Sequence, residues 1–206
     1  MGNTISIKNF SLSFGKKQII DDLSFEVKKG EIFGLLGSNG SGKTSIIRAL
    51  LGLYVADKGE LLINDTPFEP NKDTHLGYLP EERGLYKKES VIDVMVYFGQ
   101  LKGMSKKAAR DWSLSYLEKV GLADKAKTKL DKLSGGQQQK VQLGTTIINA
   151  PDLLILDEPT KGFDPVNRQL LMDIIKAENE RGTTIVMVTH QMEEAERFCH
   201  RALLLK

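Results

Sequence analysis

The stretch Gly37-Ser38-Asn39-Gly40-Ser41-Gly42-Lys43-Thr44 constrains this chain more than any other. The apolar run from Glu31 to Leu36 leads into it, and Ile46, Ile47, Leu50 and Leu51 recur at helical spacing after it. The order strand, glycine loop, helix follows. Downstream, apolar runs at Leu61–Ile63, Leu76–Leu79, Leu153–Leu156, Thr184–Val188 and Ala202–Leu205 read as strands. Helical stretches separate several of them: about Val91 to Val120, punctuated by Gly103 and Gly121; Gly135 to about Asn149; Pro165 to Glu180; and Met192 to Cys199. Strands alternating with helices predict an α/β fold whose sheet is mostly parallel and covered on both faces. Upstream, Ile5 and Ile7, then Leu23, Phe25 and Val27, alternate with polar residues and predict two antiparallel strands ahead of the loop.

The loop fits the pattern G-x-x-x-x-G-K-[ST], the P-loop, in the strand-to-helix context that gives it meaning. Glycine lets backbone N–H groups turn inward and approach phosphate oxygens without a Cβ in the way. The positive end of the following helix adds to the attraction. Ser38, Asn39, Gly40, Ser41, Gly42, Lys43, Thr44 and Ser45 are therefore the expected nucleotide cradle. Lys43 is expected to reach the β- and γ-phosphates, and the Thr44 hydroxyl to ligate Mg²⁺. A second acidic element matches this chemistry: Leu153-Leu154-Ile155-Leu156 ends in Asp157-Glu158. A buried parallel strand reads this way, and its C-terminal end lies beside the loop in an open α/β sheet. Asp157 is placed to support Mg²⁺ and Glu158 to polarise an attacking water.

Composition excludes several other classes. A chain of 206 residues allows one domain with an inserted subdomain. No apolar run approaches the roughly 18 residues a membrane span needs, and the start Met1-Gly2-Asn3-Thr4-Ile5 lacks a secretory layout, so a cytoplasmic location is expected. Ser6 fits an N-myristoylation pattern by position alone. The single cysteine, Cys199, excludes an internal disulfide or a cysteine metal cluster and reads as a small helix residue. A net charge of +2 is too small to announce nucleic acid, and the basic stretches Lys102–Arg110 and Lys125–Lys132 read as solvated helix faces. Asn71-Lys72-Asp73 hints at a guanine-recognising loop, but its aspartate is one residue early and it precedes the acidic strand. His75 and His200 match no motif and read as surface residues.

Leu133-Ser134-Gly135-Gly136-Gln137 is a second anion-binding pattern, a hydroxyl and two glycine N–H groups at a helix start. One chain cannot readily bring it and the P-loop to the same γ-phosphate, which calls for a second chain. With this signature a short way before Asp157, the sequence resembles, over essentially its whole length, the nucleotide-binding domains of ABC transporters. The resemblance implies a P-loop NTPase core with an N-terminal antiparallel β subdomain and a helical signature subdomain inserted at about 82–149, all within one domain spanning 1–206. It also implies a dimer, expected to be a homodimer, with each ATP sandwiched between the P-loop of one domain and Ser134, Gly135, Gly136 and Gln137 of the other. ATP and Mg²⁺ are the implied cofactors, and hydrolysis driving an integral membrane permease the implied activity, on the inner face of the membrane.

Further positions follow from the same resemblance. Phe14 looks like the aromatic on which adenine stacks, although a lone aromatic here also reads as core. His190, after the strand ending at Thr189, looks like the switch histidine that contacts the γ-phosphate and supports the water held by Glu158. Gly162-Phe163-Asp164 resembles the loop through which two domains communicate, with Phe163 in place of leucine. In Gly77-Tyr78-Leu79-Pro80-Glu81-Glu82-Arg83 the family usually has glutamine where this chain has Glu81. A carboxylate there still offers a metal ligand but adds negative charge near phosphates. Tyr78 to Tyr86 resembles exporter subunits whose permease is a separate chain, and the groove between Gly77–Tyr86 and the helix near Asp93–Gly103 is the expected permease dock. Chains of the family commonly continue past the point matching Lys206, so a truncated C-terminus is expected. A non-transport ATPase of DNA repair or translation would carry a long coiled coil or a second nucleotide domain; an ATP sensor that barely turns over is the other alternative.

Overall fold

The computed structural model describes residues 2–69, 75–82 and 84–206. The Asn71-Lys72-Asp73 loop and Arg83 lie outside the described residues. The chain begins with a hairpin, β1 (Asn3–Phe14) and β2 (Lys17–Lys28), turned at Gly15, whose φ of 61° suits glycine. Both strands run much further than the alternating residues alone predicted. Strand β3 (Ile32–Gly37) ends in the glycine loop, helix α1 (Lys43–Leu50) follows, and β4 (Lys58–Ile63) returns to pair antiparallel with β1. Order β2-β1-β4 makes the small sheet antiparallel, with β1 at its centre. That position explains why β1 buries residues in runs rather than strictly alternating.

The remaining strands, β5 (Leu76–Leu79), β6 (Leu153–Asp157), β7 (Thr184–Thr189) and β8 (Arg201–Leu205), join β3 in a five-stranded parallel sheet ordered β5-β6-β7-β3-β8. Side chains of a strand alternate between sheet faces, and here the two faces serve two cores. Leu154, Leu156, Ile185 and Met187 face the helices, while Leu153, Ile155, Val186 and Val188 pack with α1 and the antiparallel sheet. Strands buried on both faces are uniformly apolar for this reason.

Between β5 and β6 lies the inserted helical part: α2 (Val91–Leu101), α3 (Lys106–Lys119) and α4 (Gly135–Ile147). The stretch predicted as helical from Val91 to Val120 breaks at Gly103, with φ 86°, and α4 stops at Ile147, just short of the expected Asn149. The chain closes with α5 (Pro165–Glu180) and α6 (Met192–Phe198), so Cys199 terminates its helix instead of sitting within it. Its thiol is pushed up to about 12 by burial, with the Glu194 charge adding. Gly34 accommodates it: a Cβ there would stand 3.0 Å from Cys199 Sγ.

Helix starts divide into two kinds. Ser90, Ser105, Ser134 and Asp164 each accept a hydrogen bond from a backbone N–H in the first turn of α2, α3, α4 and α5 respectively. Helix α1 begins at Gly42, and the short α6 at Gln191, with no side-chain cap; α1 follows the glycine loop. Its first N–H groups are left to whatever enters the loop.

Candidate phosphate-binding site and its signature helix

The loop between β3 and α1 is shaped by its glycines. Gly42 has φ 95°, and a Cβ there would fall 2.6 Å from Ile20 Cδ1; at Gly37 it would fall 2.4 Å from Ser41 Oγ. Both positions combine a backbone that disfavours L side chains with a neighbour already in place. Lys43 is buried and donates from Nζ to the carbonyls of Gly37 at 2.8 Å and Ser38 at 2.9 Å, so its ammonium is held over the concave side of its own loop. Ser41 Oγ is buried with no hydrogen-bond partner among the described residues. A buried polar atom without a partner is costly, and an oxygen-rich anion in the loop would supply one.

A cavity of about 270 Å³ opens over this loop, lined by Asn39, Gly40, Gly42, Lys43, Thr44 and Ser45, with Ile19 as an apolar wall and Glu81, Asp157 and Glu158 opposite. The parallel pairing of β6 with β7, and of β7 with β3, puts the carboxylates at the loop's edge of the sheet. Thr44 Oγ1 donates to Asp157 Oδ2 at 3.0 Å, which joins the two residues expected around Mg²⁺. A hydroxyl and carboxylates are the hard oxygen donors that Mg²⁺ takes, with phosphates and water completing its shell. Asp157 is 1 % exposed, and burial pushes its carboxyl up to about 6, the Thr44 hydrogen bond opposing and the charges of Glu81 and Glu158 adding. Metal in the site would favour the ionised form.

Glu158, 4 % exposed, sits just past β6 with φ 49°, a left-handed conformation rare for a non-glycine residue. His190 holds it twice: its backbone N–H donates to Glu158 Oε1 at 3.0 Å, and its ring Nδ1 lies 2.7 Å from the same oxygen. The expected pairing of acidic strand end and histidine is thus present in the geometry. Glu81 Oε1 accepts from Lys161 Nζ at 2.5 Å. Among residues not expected from sequence, Lys161 is the notable one; it follows Glu158 by three positions, a cation at the strand's end that could have drawn attention.

Several expected residues do not line this cavity: Ser38 and Ser41 of the loop, His190, which instead touches Glu158, Phe14, and the Ser134–Gln137 turn. Phe14 is 47 % exposed, its ring edge-on to Tyr54 at a centroid distance of 5.1 Å, so the reading of it as a core residue is wrong. Ser134, Gly135, Gly136 and Gln137 open α4 and do not line the loop cavity. They form a capping box: Ser134 Oγ accepts from Gln137 N–H, and the Gln137 side chain accepts from Ser134 N–H at 2.9 Å. The buried ring of Phe163 packs on this helix, 3.3 Å from where a Cβ on Gly136 would lie, which accounts for an aromatic fitting where leucine was expected.

Near α2, a cavity of about 270 Å³ is lined by Tyr78, Pro80, Leu85, Phe98 and Lys102 among others, and a neighbouring groove by Tyr86, Asp93 and Tyr97. Lys102 donates to the Thr146 carbonyl at 2.6 Å, and burial pushes its ammonium down to about 8. His75 and His200 are exposed as expected, although His200 Nδ1 also accepts from the N–H of Ile32. No helix of the described residues is long and apolar enough to cross a membrane.

Comparison with known proteins agrees with this geometry. The ABC transporter family profile matches residues 20–161. An uncharacterised ABC transporter ATP-binding protein of Methanocaldococcus jannaschii is 45 % identical over 98 % of this chain and 74 % of its own length. The Nod factor export ATP-binding protein I of Bradyrhizobium diazoefficiens is 41 % identical over 94 % of this chain and 64 % of its own. For the linearmycin resistance ATP-binding protein of Bacillus subtilis the values are 35 %, 96 % and 64 %. A solved ATP-binding subunit of an ABC transporter superposes with a TM-score of 0.90 at 25 % identity, covering 98 % of this chain and 85 % of that one. Loop, acidic strand, signature helix and relatives agree, and the chain belongs to the family of ABC transporter ATP-binding proteins.

Proposed function

We propose that this chain binds Mg-ATP in the Gly37–Thr44 loop, dimerises around two nucleotides, and hydrolyses them to drive a separate membrane permease from the cytoplasmic side. The observation that carries the reading is the division of anion-binding elements: α1 offers uncapped N–H groups beside Lys43, while the signature residues lie on a helix start outside that cavity. A second copy is what completes the site. Ser38 to Ser45 hold the phosphates, and Phe14, exposed at the end of β1, presents its ring to the base. Thr44 and Asp157 would hold Mg²⁺, which would supply neutralisation of charge on the transferred phosphoryl group. Glu158 orients and takes a proton from the attacking water, and His190 fixes the Glu158 carboxylate through the 2.7 Å contact. Ser134, with the Gly135 and Gly136 amides, donates to the γ-phosphate of the partner's nucleotide. ATP favouring the closed dimer supplies the free energy that moves the permease.

The aromatic groove at Tyr86 and Tyr97, with the cavity around Lys102, is the permease dock in this reading. Relatives named for Nod factor export and linearmycin resistance support an exporter. The test is Glu158→Gln with ATP and Mg²⁺, which keeps the size of the side chain and removes its basicity. The reading expects ATPase activity to fall at least 100-fold and the mass to double on ATP addition. Sustained turnover by the variant rules out Glu158 as the base, and an unchanged mass rules out the shared site.

A further inference from the structure

The Glu81–Lys161 pair joins the loop after β5 to the loop after β6, across 80 positions of sequence. Lys161 is fixed close to the reacting groups by its backbone, since its N–H donates to the Glu158 carbonyl at 3.1 Å. Glu81 lines two cavities at once: the phosphate cavity, with Asp157 and Glu158, and a cleft of about 660 Å³ towards the helical part, with Gln138, Gln139 and Lys161. Lys161 lines only the cleft. The carboxylate therefore stands at a boundary, and the cation that holds it is on the side away from the nucleotide.

The charge arrangement gives this position a consequence. Among the described residues, the phosphate cavity presents three carboxylates, Glu81, Asp157 and Glu158, and one ammonium, that of Lys43. Adding a polyphosphate to that set is unfavourable unless a carboxylate is neutralised by metal or by a cation. Lys161 is the cation in contact with Glu81. An ion pair as exposed as this one does little for folding, so its effect lies in position and charge.

We infer that Lys161 is a positioning residue for Glu81: it holds the carboxylate on the cleft side and cancels its charge while no metal is bound, and Glu81 leaves it to reach the metal. The inference rests on the Mg-ATP reading above.

Three variants test it: Lys161→Met, Glu81→Gln and the two combined. Affinity for a fluorescent ATP analogue is measured with EDTA and again with Mg²⁺, and hydrogen exchange is followed over residues 76–86 in nucleotide-free protein. Lys161→Met is expected to weaken Mg²⁺-free binding at least tenfold, and the loss should shrink below threefold with Mg²⁺, where Glu81 finds another partner. Combining it with Glu81→Gln should restore Mg²⁺-free affinity to within threefold of the unaltered chain. Exchange over residues 76–86 should quicken in Lys161→Met while α4 stays unchanged. Equal weakening in Lys161→Met and the double variant overturns the inference, because Lys161 would then bind phosphate directly; so does unchanged exchange. If the unaltered chain binds no ATP analogue, the Mg-ATP reading itself has failed, and exchange alone still decides whether Lys161 holds the loop.

Discussion

The starts of α1 and α4, the two proposed anion sites, are finished differently. At α1 the sequence places glycine at the cap, a buried lysine over the loop and three carboxylates opposite, and leaves Ser41 Oγ without a partner among the described residues. At α4 the Ser134 and Gln137 side chains satisfy their own helix through the capping box. The first lines a cavity; at the second, the Ser134 hydroxyl hydrogen and the glycine amides meet no partner within the described residues. In the reading proposed above, a complete site forms only when this chain meets another copy.

The contrast can be broken most severely by changing one helix start at a time. Lys43→Ala removes the ammonium that faces the phosphates and the two carbonyl contacts that shape the loop. ATP binding by isolated monomer is expected to weaken at least 100-fold, measured by titration calorimetry. Ser134→Arg, which places a bulky side chain on the exposed start of α4, should leave monomer binding within threefold while abolishing ATP-driven dimerisation. Comparable loss of monomer binding in both variants would mean that the two helix starts act on one nucleotide within one chain.

Acidity should separate the halves next. With Asp157 raised to about 6 by burial, its protonated form competes with Mg²⁺ below that pH and not above it. The Mg²⁺-dependent part of ATP affinity, taken as the ratio of affinities with and without metal, should fall by about tenfold per pH unit below pH 6. No titratable side chain belongs to Ser134–Gln137, so protection of the α4 amides from hydrogen exchange should stay level between pH 7 and pH 6 after correction for intrinsic rates. A flat metal dependence would remove Asp157 from the metal's surroundings.

The smallest effect expected is structural, and it sharpens what keeps the start of α4 in place. Gly144 lies where a Cβ would meet Tyr116 Cε1 at 2.5 Å and Met95 Cε at 2.8 Å, so α4 packs on α2 and α3 at van der Waals distance. Gly144→Ala overpacks this junction and should cost about 1–3 kcal/mol in urea unfolding, without altering ATP binding by the monomer. Loss of ATP binding instead would show that the helical part and the loop fold as one strained unit.

Much of this arrangement was legible in the sequence, and the reasons are local. The Gly37–Thr44 spacing, the apolar strand ending at Asp157-Glu158 and Ser134-Gly135-Gly136-Gln137 each carry their own backbone requirement, and each stands at the element terminus expected of it. Strand lengths were less legible, since β1 buries both faces and loses the alternation that would mark its extent. Strand Leu61–Ile63 was found by its apolar run, but its pairing with β1 is a long-range matter that no local pattern encodes. The Glu81–Lys161 contact was illegible for the same reason: two exposed charges 80 positions apart acquire meaning only when the β5 and β6 ends are brought together. Phe14 went partly astray as a possible core residue because an aromatic near a strand end reads the same whether it faces core or solvent.

Complementation tests the shared site most directly. Chains carrying Glu158→Gln to stop turnover are prepared with Lys43→Ala in one and Ser134→Arg in the other, and occluded ATP is counted after rapid gel filtration. Neither alone should retain nucleotide, because every dimer of one kind lacks the same half at both sites. Mixed, each heterodimer regains one complete site, the intact loop of the second chain against the intact signature of the first, and should retain one ATP per two chains. A mixture that retains none, while the Glu158→Gln parent retains two per dimer, would contradict a site built from the loop of one chain and the signature helix of another.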